Sequence, residues 1–253
     1  MILLVLLLPL MQATSQQPDA NNILAKSREL SITGSMSATI NLTITERNGS
    51  VRNRTISMTS MSSDDDVEKR LIRFLDPADV RGTSMLIVDN KTLADEMWIY
   101  LPALKKTRRI VTKEKGKSFM SSEFSNSDMS SPPVSDFTSR HTGNSGADGQ
   151  WVIESIPAGD DKADEYGFSR KLSYVDIENY QIRKMEFYNF ENKLFKVIEI
   201  KSIHPLSGGK YMVENMTADN LLTGRRSEIL FSKITEGIKV DDTFFTVQNL
   251  ERQ

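Results

Sequence analysis

Residues 36–45 alternate strictly between apolar and polar side chains, and this pattern constrains the fold more than any other in the sequence. Every even position from Met36 to Ile44 is apolar, and every odd position from Ser37 to Thr45 is Ser, Thr or Asn. Successive side chains of a β-strand point to opposite faces, so this period of two predicts a strand with one apolar face. Asn48-Gly49 follows, and both residue types tolerate the positive φ of a hairpin turn. The pattern therefore predicts an antiparallel hairpin whose second strand lies around Arg52–Met61.

Further strand patterns recur at short intervals along the chain. They lie at Lys69–Leu75, Ser84–Val88, Glu96–Leu101, Arg108–Thr112, Trp151–Ile156, Phe168–Tyr174, Gln181–Tyr188, Leu194–Ile203, Lys210–Ala218 and Gly224–Ser232. Turn sequences separate several of them, including Asn189–Asn192 and Ser207–Gly209. We expect a mainly β protein: a single curled antiparallel sheet of about 10–11 strands, forming an incomplete, unclosed barrel with a few short helices.

Two regions depart from the strand pattern. Ala20–Lys26 is predicted to form a short helix with Asp19 as its N-cap. Residues 121–150 are rich in Ser, Asn, Asp, Gly and Pro, and we expect a loop there with a single helical turn at Ser125–Met129.

The composition excludes several kinds of functional site. Cysteine is absent and only two histidines occur, His141 and His204, so thiol chemistry, disulfides and Cys- or His-rich metal sites are excluded. With a net charge of −2, the chain is not a polycation of the kind that binds nucleic acid. Leu206–Lys210 lacks the spacing of a phosphate-binding loop, and Gly143–Gly146 lacks that of a nucleophile elbow. We therefore expect a protein without catalytic activity, cofactor or metal.

The N-terminus carries an apolar run that is too short for a membrane anchor. Ile2–Met11 is uninterrupted but spans only ten residues, against the ~20 that a spanning helix needs. Ala13 and Ser15 supply small residues at the −3 and −1 positions of a cleavage site. We predict that residues 1–15 are a cleaved signal peptide and that residues 16–253 form one exported domain.

Residues 97–124 combine an apolar strand with concentrated positive charge. Met97–Leu101 leads into a stretch with seven basic residues and one acid, Glu114, and Phe119-Met120 follows. The basic residues are Lys105, Lys106, Arg108, Arg109, Lys113, Lys115 and Lys117. One interpretation is a core strand followed by a solvated basic hairpin. The other is an amphiphile site, with an apolar surface for acyl chains beside cations for a phosphate or an anionic membrane.

The stretch Trp98–Ile110, with Ser118–Phe124 after it, resembles the signature of LolA-like outer-membrane lipoprotein-sorting proteins. Similarity at Tyr174–Asp176, Asn215–Thr217, Leu222–Gly224 and, in the tail, Asp241–Phe245 and Leu250–Arg252 extends the resemblance over most of Asn22–Arg252. The sequence departs from the family pattern at three places. The family usually has glycine where Ser121 stands, aspartate where Glu123 stands, and a tyrosine near Asn126.

The resemblance implies an incomplete antiparallel β-barrel with helices over its opening, enclosing an apolar cavity. It also implies a carrier that moves acylated proteins or lipids through the periplasm of a diderm bacterium. Exposing an acyl chain to water costs about 0.8 kcal/mol per methylene, so such a carrier needs a dry concavity. We expect the acyl cavity to involve Met36, Ile40, Leu42, Met97, Trp98, Tyr100, Leu101, Phe119, Met120, Phe244 and Phe245. The seven basic residues between Lys105 and Lys117 are expected to face headgroups, a membrane or a transfer partner.

The same resemblance sets the expected partners. They are acylated lipoproteins or lipids, an inner-membrane exporter and an outer-membrane acceptor, with transient membrane contact, no nucleic acid and a monomeric carrier. Two alternatives remain open. One is a periplasmic sensor module on the same fold, which binds lipids or peptides and forms a stable complex with a membrane-bound regulator. The other is an envelope surface protein that uses residues 105–117 for adhesion.

Overall fold

The computed structural model describes residues 17–63, 67–90, 93–145 and 149–252. The predicted signal peptide lies outside these residues. Within them, thirteen strands form one antiparallel sheet that does not close into a barrel, which confirms the predicted architecture with more strands than expected. The strands are β1 (Met36–Thr45), β2 (Val51–Ser62), β3 (Glu68–Asp76), β4 (Ser84–Asp89), β5 (Glu96–Leu101), β6 (Lys106–Arg109), β7 (Phe137–Ser145), β8 (Gln150–Pro157), β9 (Arg170–Asp176), β10 (Ile182–Tyr188), β11 (Leu194–Pro205), β12 (Tyr211–Asn220) and β13 (Arg225–Glu236).

Two meanders meet in the middle of the sheet. Strands β1–β6 form one meander and β7–β13 the other, and β1 pairs with β13 to join them. On its other side β1 pairs with β2 from Met36 opposite Ser60 to Thr45 opposite Val51, as the hairpin prediction requires. Because β1 is central, the even residues of its alternating stripe are all buried. We call the face of the sheet that carries them the inner face.

Strand β7 is where the sequence-based expectation was wrong. Residues 121–150 were expected to form a loop with one helical turn, but Phe137–Ser145 pairs with β8 at an edge of the sheet. An edge strand has only one hydrogen-bonded neighbour, so its side chains need not follow a clear apolar alternation. The expected helical turn is present as a 3₁₀ turn at Ser127–Met129.

Within the described residues, three short α-helices accompany the sheet. Helix α1 (Ala20–Leu30) begins as predicted, because the Asp19 side chain accepts hydrogen bonds from the backbone N–H of Asn21 (2.9 Å) and of Asn22 (3.3 Å). Helices α2 (Thr112–Lys115) and α3 (Asp160–Tyr166) were not expected; α2 includes the end of the predicted strand Arg108–Thr112. Among the residues that the structure describes, no helix combines the length and apolar character needed to cross a membrane.

The segment between β6 and β7, residues 110–136, covers the inner face; we call it the covering segment. Its apolar side chains Ile110, Phe119 and Phe124 are buried in the main core together with the inner-face residues of β1–β5. The two meanders hold it from both sides. Arg54 of β2 donates from Nη1 to the backbone oxygen of Met120, and Arg225 of β13 donates from Nη2 to that of Ser121 at 2.8 Å.

Candidate functional site

A cavity of about 320 Å³ lies between the inner face of the sheet, helix α1 and the covering segment. Alternate residues of a strand point to the same side, and Lys171 and Ser173 of β9 line the cavity in this way, whereas β12 contributes the consecutive residues Tyr211, Met212 and Val213. The apolar part of the wall consists of Leu24, Met58, Pro132, Val134, Phe137, Ile182, Met185, Ile200, Met212, Val213, Met216 and Phe231. Most of these residues lie on β10–β13, so the second meander supplies most of the apolar wall.

Two smaller cavities adjoin the main one. They have volumes of about 70 and 110 Å³ and share part of its wall, and Met216 lines all three cavities. The main cavity alone falls at the lower end of the ~300–1,000 Å³ typical of small-molecule sites. Four methionines, Met58, Met185, Met212 and Met216, line it. Their flexible thioethers can adjust to guests of different shape.

The cavity is not uniformly apolar, and several of its charged groups are already paired. Glu68 accepts a hydrogen bond from the Thr33 hydroxyl at 2.6 Å, and Arg70 forms an ion pair with the buried Asp89. The Asp128 carboxylate pairs with Nζ of Lys196 at 2.6 Å. Within the described ranges, no three Asp, Glu or His side chains converge into a group that could hold a metal ion.

The predicted acyl-cavity residues separate into three groups. Ile40 and Phe119 line the 70 Å³ cavity. Five others belong to the inner core but line none of the three cavities: Met36, Leu42 and Met97 are completely buried, while Leu101 and Met120 pack against the core. The binding roles assigned to these inner-face residues stay predictions.

The third group lies on the opposite, outer face of the sheet. Trp98 and Tyr100 alternate with Met97 along β5, so they point away from the inner core. Phe244 and Phe245 pack in the same outer cluster. The C-terminal 3₁₀ helix that follows them, Val247–Glu251, contacts β4 and β5. The structure does not bring these four residues to the cavity, because the C-terminal tail packs on the outer face of the sheet.

The sequence pattern alone did not identify the second meander as the cavity wall. Met185, Ile200, Met212 and Phe231 lie in segments that were predicted as strands, so their pattern was visible. What was missing is the strand order. Only the pairing of β1 with β13 places these strands opposite β2 and β3 across one cavity.

The basic residues lie mainly at the β6 edge of the sheet. Lys105, Lys106, Arg108, Arg109, Lys113 and Lys117 are exposed. Arg108 pairs with Glu114 at 2.6 Å, and this hydrogen bond lowers the pKa of the Glu114 carboxyl. Charged side chains on an edge strand also discourage pairing with other chains. Lys115 differs from the rest: it is buried and pairs with Glu165 of α3, so it does not face solvent as predicted.

The fold and its cavity define an open antiparallel sheet of the LolA-like class. A structure named as an outer membrane lipoprotein-sorting protein domain, from Vibrio parahaemolyticus, is 25% identical, with a TM-score of 0.83 over 92% of this chain and 98% of that one. A DUF1329 family protein from Desulfovibrio piger is 24% identical, with a TM-score of 0.81 over 91% and 97%. A LolA superfamily protein from Nitrosomonas europaea is 16% identical, with a TM-score of 0.69 over 91% and 98%.

The chain belongs to a family of proteins described as uncharacterized, whose model matches residues 66–252. No curated protein sequence matches the chain. The solved structures therefore bear out the LolA-like resemblance seen in the sequence.

Proposed function

We propose that this chain is a periplasmic carrier that binds acyl chains of lipoproteins or lipids in the inner-face cavity and moves them toward the outer membrane. The observation that supports this most is the main cavity of about 320 Å³, which is walled largely by aliphatic, methionine and phenylalanine side chains. The similarity to the Vibrio domain named for lipoprotein sorting supports the same reading.

The physical requirement for such a carrier is a dry surface for the hydrocarbon. Each methylene exposed to water costs about 0.8 kcal/mol, so a chain of about 14 methylenes costs on the order of 10 kcal/mol. Met58, Met216 and Phe231 lie where the main cavity and the 70 Å³ cavity share a wall. An acyl chain following this wall would pass from one cavity to the other.

The exposed basic residues would act outside the cavity. In the part of the chain that the structure describes, Lys105, Lys106, Lys113 and Lys117 are solvent-exposed and form no ion pair with an acidic side chain. Such lysines attract anionic lipid surfaces by about 1 kcal/mol each near the membrane. We assign them to transient contact with a membrane, an inner-membrane exporter or an outer-membrane acceptor.

Binding of a fluorescent fatty acid to matched methionine variants tests this proposal. Met216→Gln puts a polar amide into the wall shared by all three cavities and should weaken binding about tenfold, since an unpaired amide against hydrocarbon costs ~1–3 kcal/mol. Met61→Gln makes the same change on the outer face, where Met61 packs against the outer cluster, and should leave binding unchanged. Equal affinities for both variants would contradict the cavity assignment.

A further inference from the structure

Lys171 lies in the wall of the cavity and has no ion-pair partner in the described part of the chain. Its side chain lines both the main cavity and the 110 Å³ cavity, and its Nζ lies 4.6 Å from the centroid of the Phe137 ring. Among the described residues no carboxylate forms an ion pair with it, and the Asp128 carboxylate is already paired with Lys196. Burial lowers the pKa of the Lys171 ammonium to about 8, so the ammonium still predominates at neutral pH.

Strand register places two serines beside Lys171 on the same face of the sheet. Ser155 of β8 is the register partner of Lys171, and Ser139 of β7 is the register partner of Ser155. The two serine hydroxyls lie 2.9 Å apart. One of them donates to the other, which leaves the second hydroxyl proton available to a ligand.

The buried hydroxyl of Ser173 is a second, independent observation that points to a ligand. It lies two positions from Lys171 on β9, lines the main cavity and is only 1% exposed. Its Oγ has no hydrogen-bond partner among the described residues. Buried hydroxyls are normally hydrogen-bonded, so this one marks a position where an oxygen of a guest would complete the site.

The geometry points to an anion-binding subsite formed by Lys171, Ser173 and the Ser139–Ser155 pair, which takes the carboxylate or phosphate of an amphiphile whose chain fills the apolar cavity. This inference rests on the proposed acyl-binding function and narrows its ligand class. An ammonium with hydroxyl donors forms charge-assisted hydrogen bonds with such a headgroup. The ester and amide linkages of a lipoprotein's acyl groups carry no such charge, so the subsite favours an anionic lipid as the guest.

The test compares ligands that differ only in the headgroup. The full chain is titrated with hexadecanoate, hexadecyl phosphate and uncharged 1-hexadecanol, and dissociation constants are measured. The wild type should bind at least one of the anions about tenfold or more tightly than the alcohol. Which anion binds more tightly identifies the headgroup that the subsite accepts.

Variants then locate this preference. Lys171→Met should abolish the tighter binding of the anions while leaving hexadecanol binding unchanged. Lys171→Arg, which keeps the positive charge, should retain most of the preference for anions. Ser173→Ala should reduce it. Lys193→Met, which removes one positive charge from an exposed hairpin, should retain it in full. Circular dichroism of each variant checks that the sheet is intact.

The outcomes distinguish the inference from the function on which it rests. Equal binding of anions and alcohol by the wild type, or an equal loss of both in Lys171→Met, would overturn the subsite and leave the carrier proposal standing. Absence of binding of all three ligands to the wild type would overturn the carrier proposal, and the subsite with it.

Discussion

The Nζ of Lys115 donates a hydrogen bond to Oε1 of Glu165 at 2.6 Å, and both side chains are almost completely buried. This ion pair joins α2, at the start of the covering segment, to α3, which follows β8. Glu165 also accepts from Lys162 at 2.9 Å, and Lys162 pairs with Asp136 at the end of the covering segment. The Lys115–Glu165 pair therefore attaches the start of the covering segment to α3, and the Lys162–Asp136 pair attaches its end.

Lys115→Met should destabilise the fold strongly. Among the described residues, the substitution leaves the buried Glu165 carboxylate with Lys162 as its ion-pair partner, and breaking a buried pair costs on the order of 3 kcal/mol. Lys113→Met, which removes the same charge from an exposed position nearby, should change the free energy of unfolding by less than about 0.5 kcal/mol. Urea unfolding measures both values. Similar small effects for the two variants would contradict the structural role of Lys115.

Ser121→Gly should stabilise the protein by about 0.5–1 kcal/mol. Ser121 has φ of +65°, a left-handed conformation that costs non-glycine residues energy and that glycine adopts freely. The resemblance to LolA-like proteins implies glycine at this position, so the substitution would restore the pattern that the resemblance implies. Its hydrogen bond to Arg225 uses the backbone oxygen and survives the change. Thermal unfolding checks the prediction.

A matched serine separates this effect from a general effect of glycine. Ser50 is exposed in the β1–β2 turn and does not have a positive φ. Ser50→Gly should therefore lower stability by about 0.5–1 kcal/mol, because glycine loses more conformational entropy on folding. If Ser121→Gly also lowered the stability by about 0.5–1 kcal/mol, the strained conformation of Ser121 would be disproved.

The affinity for an anionic amphiphile should fall as the pH rises through the pKa of Lys171. The free ammonium has a pKa of about 8, because burial disfavours its charge, repulsion by Lys196 adds to this, and attraction by Asp128 opposes it. A bound anion favours the charged form and raises this pKa, so the affinity begins to fall near pH 8, where the free chain loses the proton, and levels off above the higher pKa of the complex. Hexadecanoate titrations on both sides of this pH should show the loss, whereas hexadecanol binding should stay flat. A parallel decline for both ligands would indicate partial unfolding instead.

The sequence was sufficient to predict a strand and its buried face where one face is apolar and the other is polar. The β1 stripe, the hairpin at Asn48-Gly49 and the Asp19 cap follow from local pattern and turn chemistry, and all three are in the structure. Strand β5 shows the limit of such patterns. Met97 faces the inner core while Trp98 packs beneath the C-terminal tail, so both faces of this strand are covered. An apolar run covered on both faces cannot reveal which residues face a cavity.

The environments of two lysines, Lys115 and Lys171, could not be predicted from the sequence either. The basic run indicated a solvated surface, but Lys115 is buried because α3, distant in sequence, supplies Glu165. Lys171 lies in a predicted strand, and the residues next to it in the sequence do not indicate a binding role. That role is suggested by Phe137, Ser155 and Asp128, which line the same cavity. Both roles depend on contacts between distant parts of the chain.

Native mass spectrometry of the full chain after incubation with phospholipid vesicles tests the central claim most directly. The account predicts a complex of one chain with one acyl lipid that survives removal of the vesicles, is weakened in Met216→Gln and is retained in Met61→Gln. A protein that remains at its unliganded mass after this incubation, with its fold intact by circular dichroism, would contradict it.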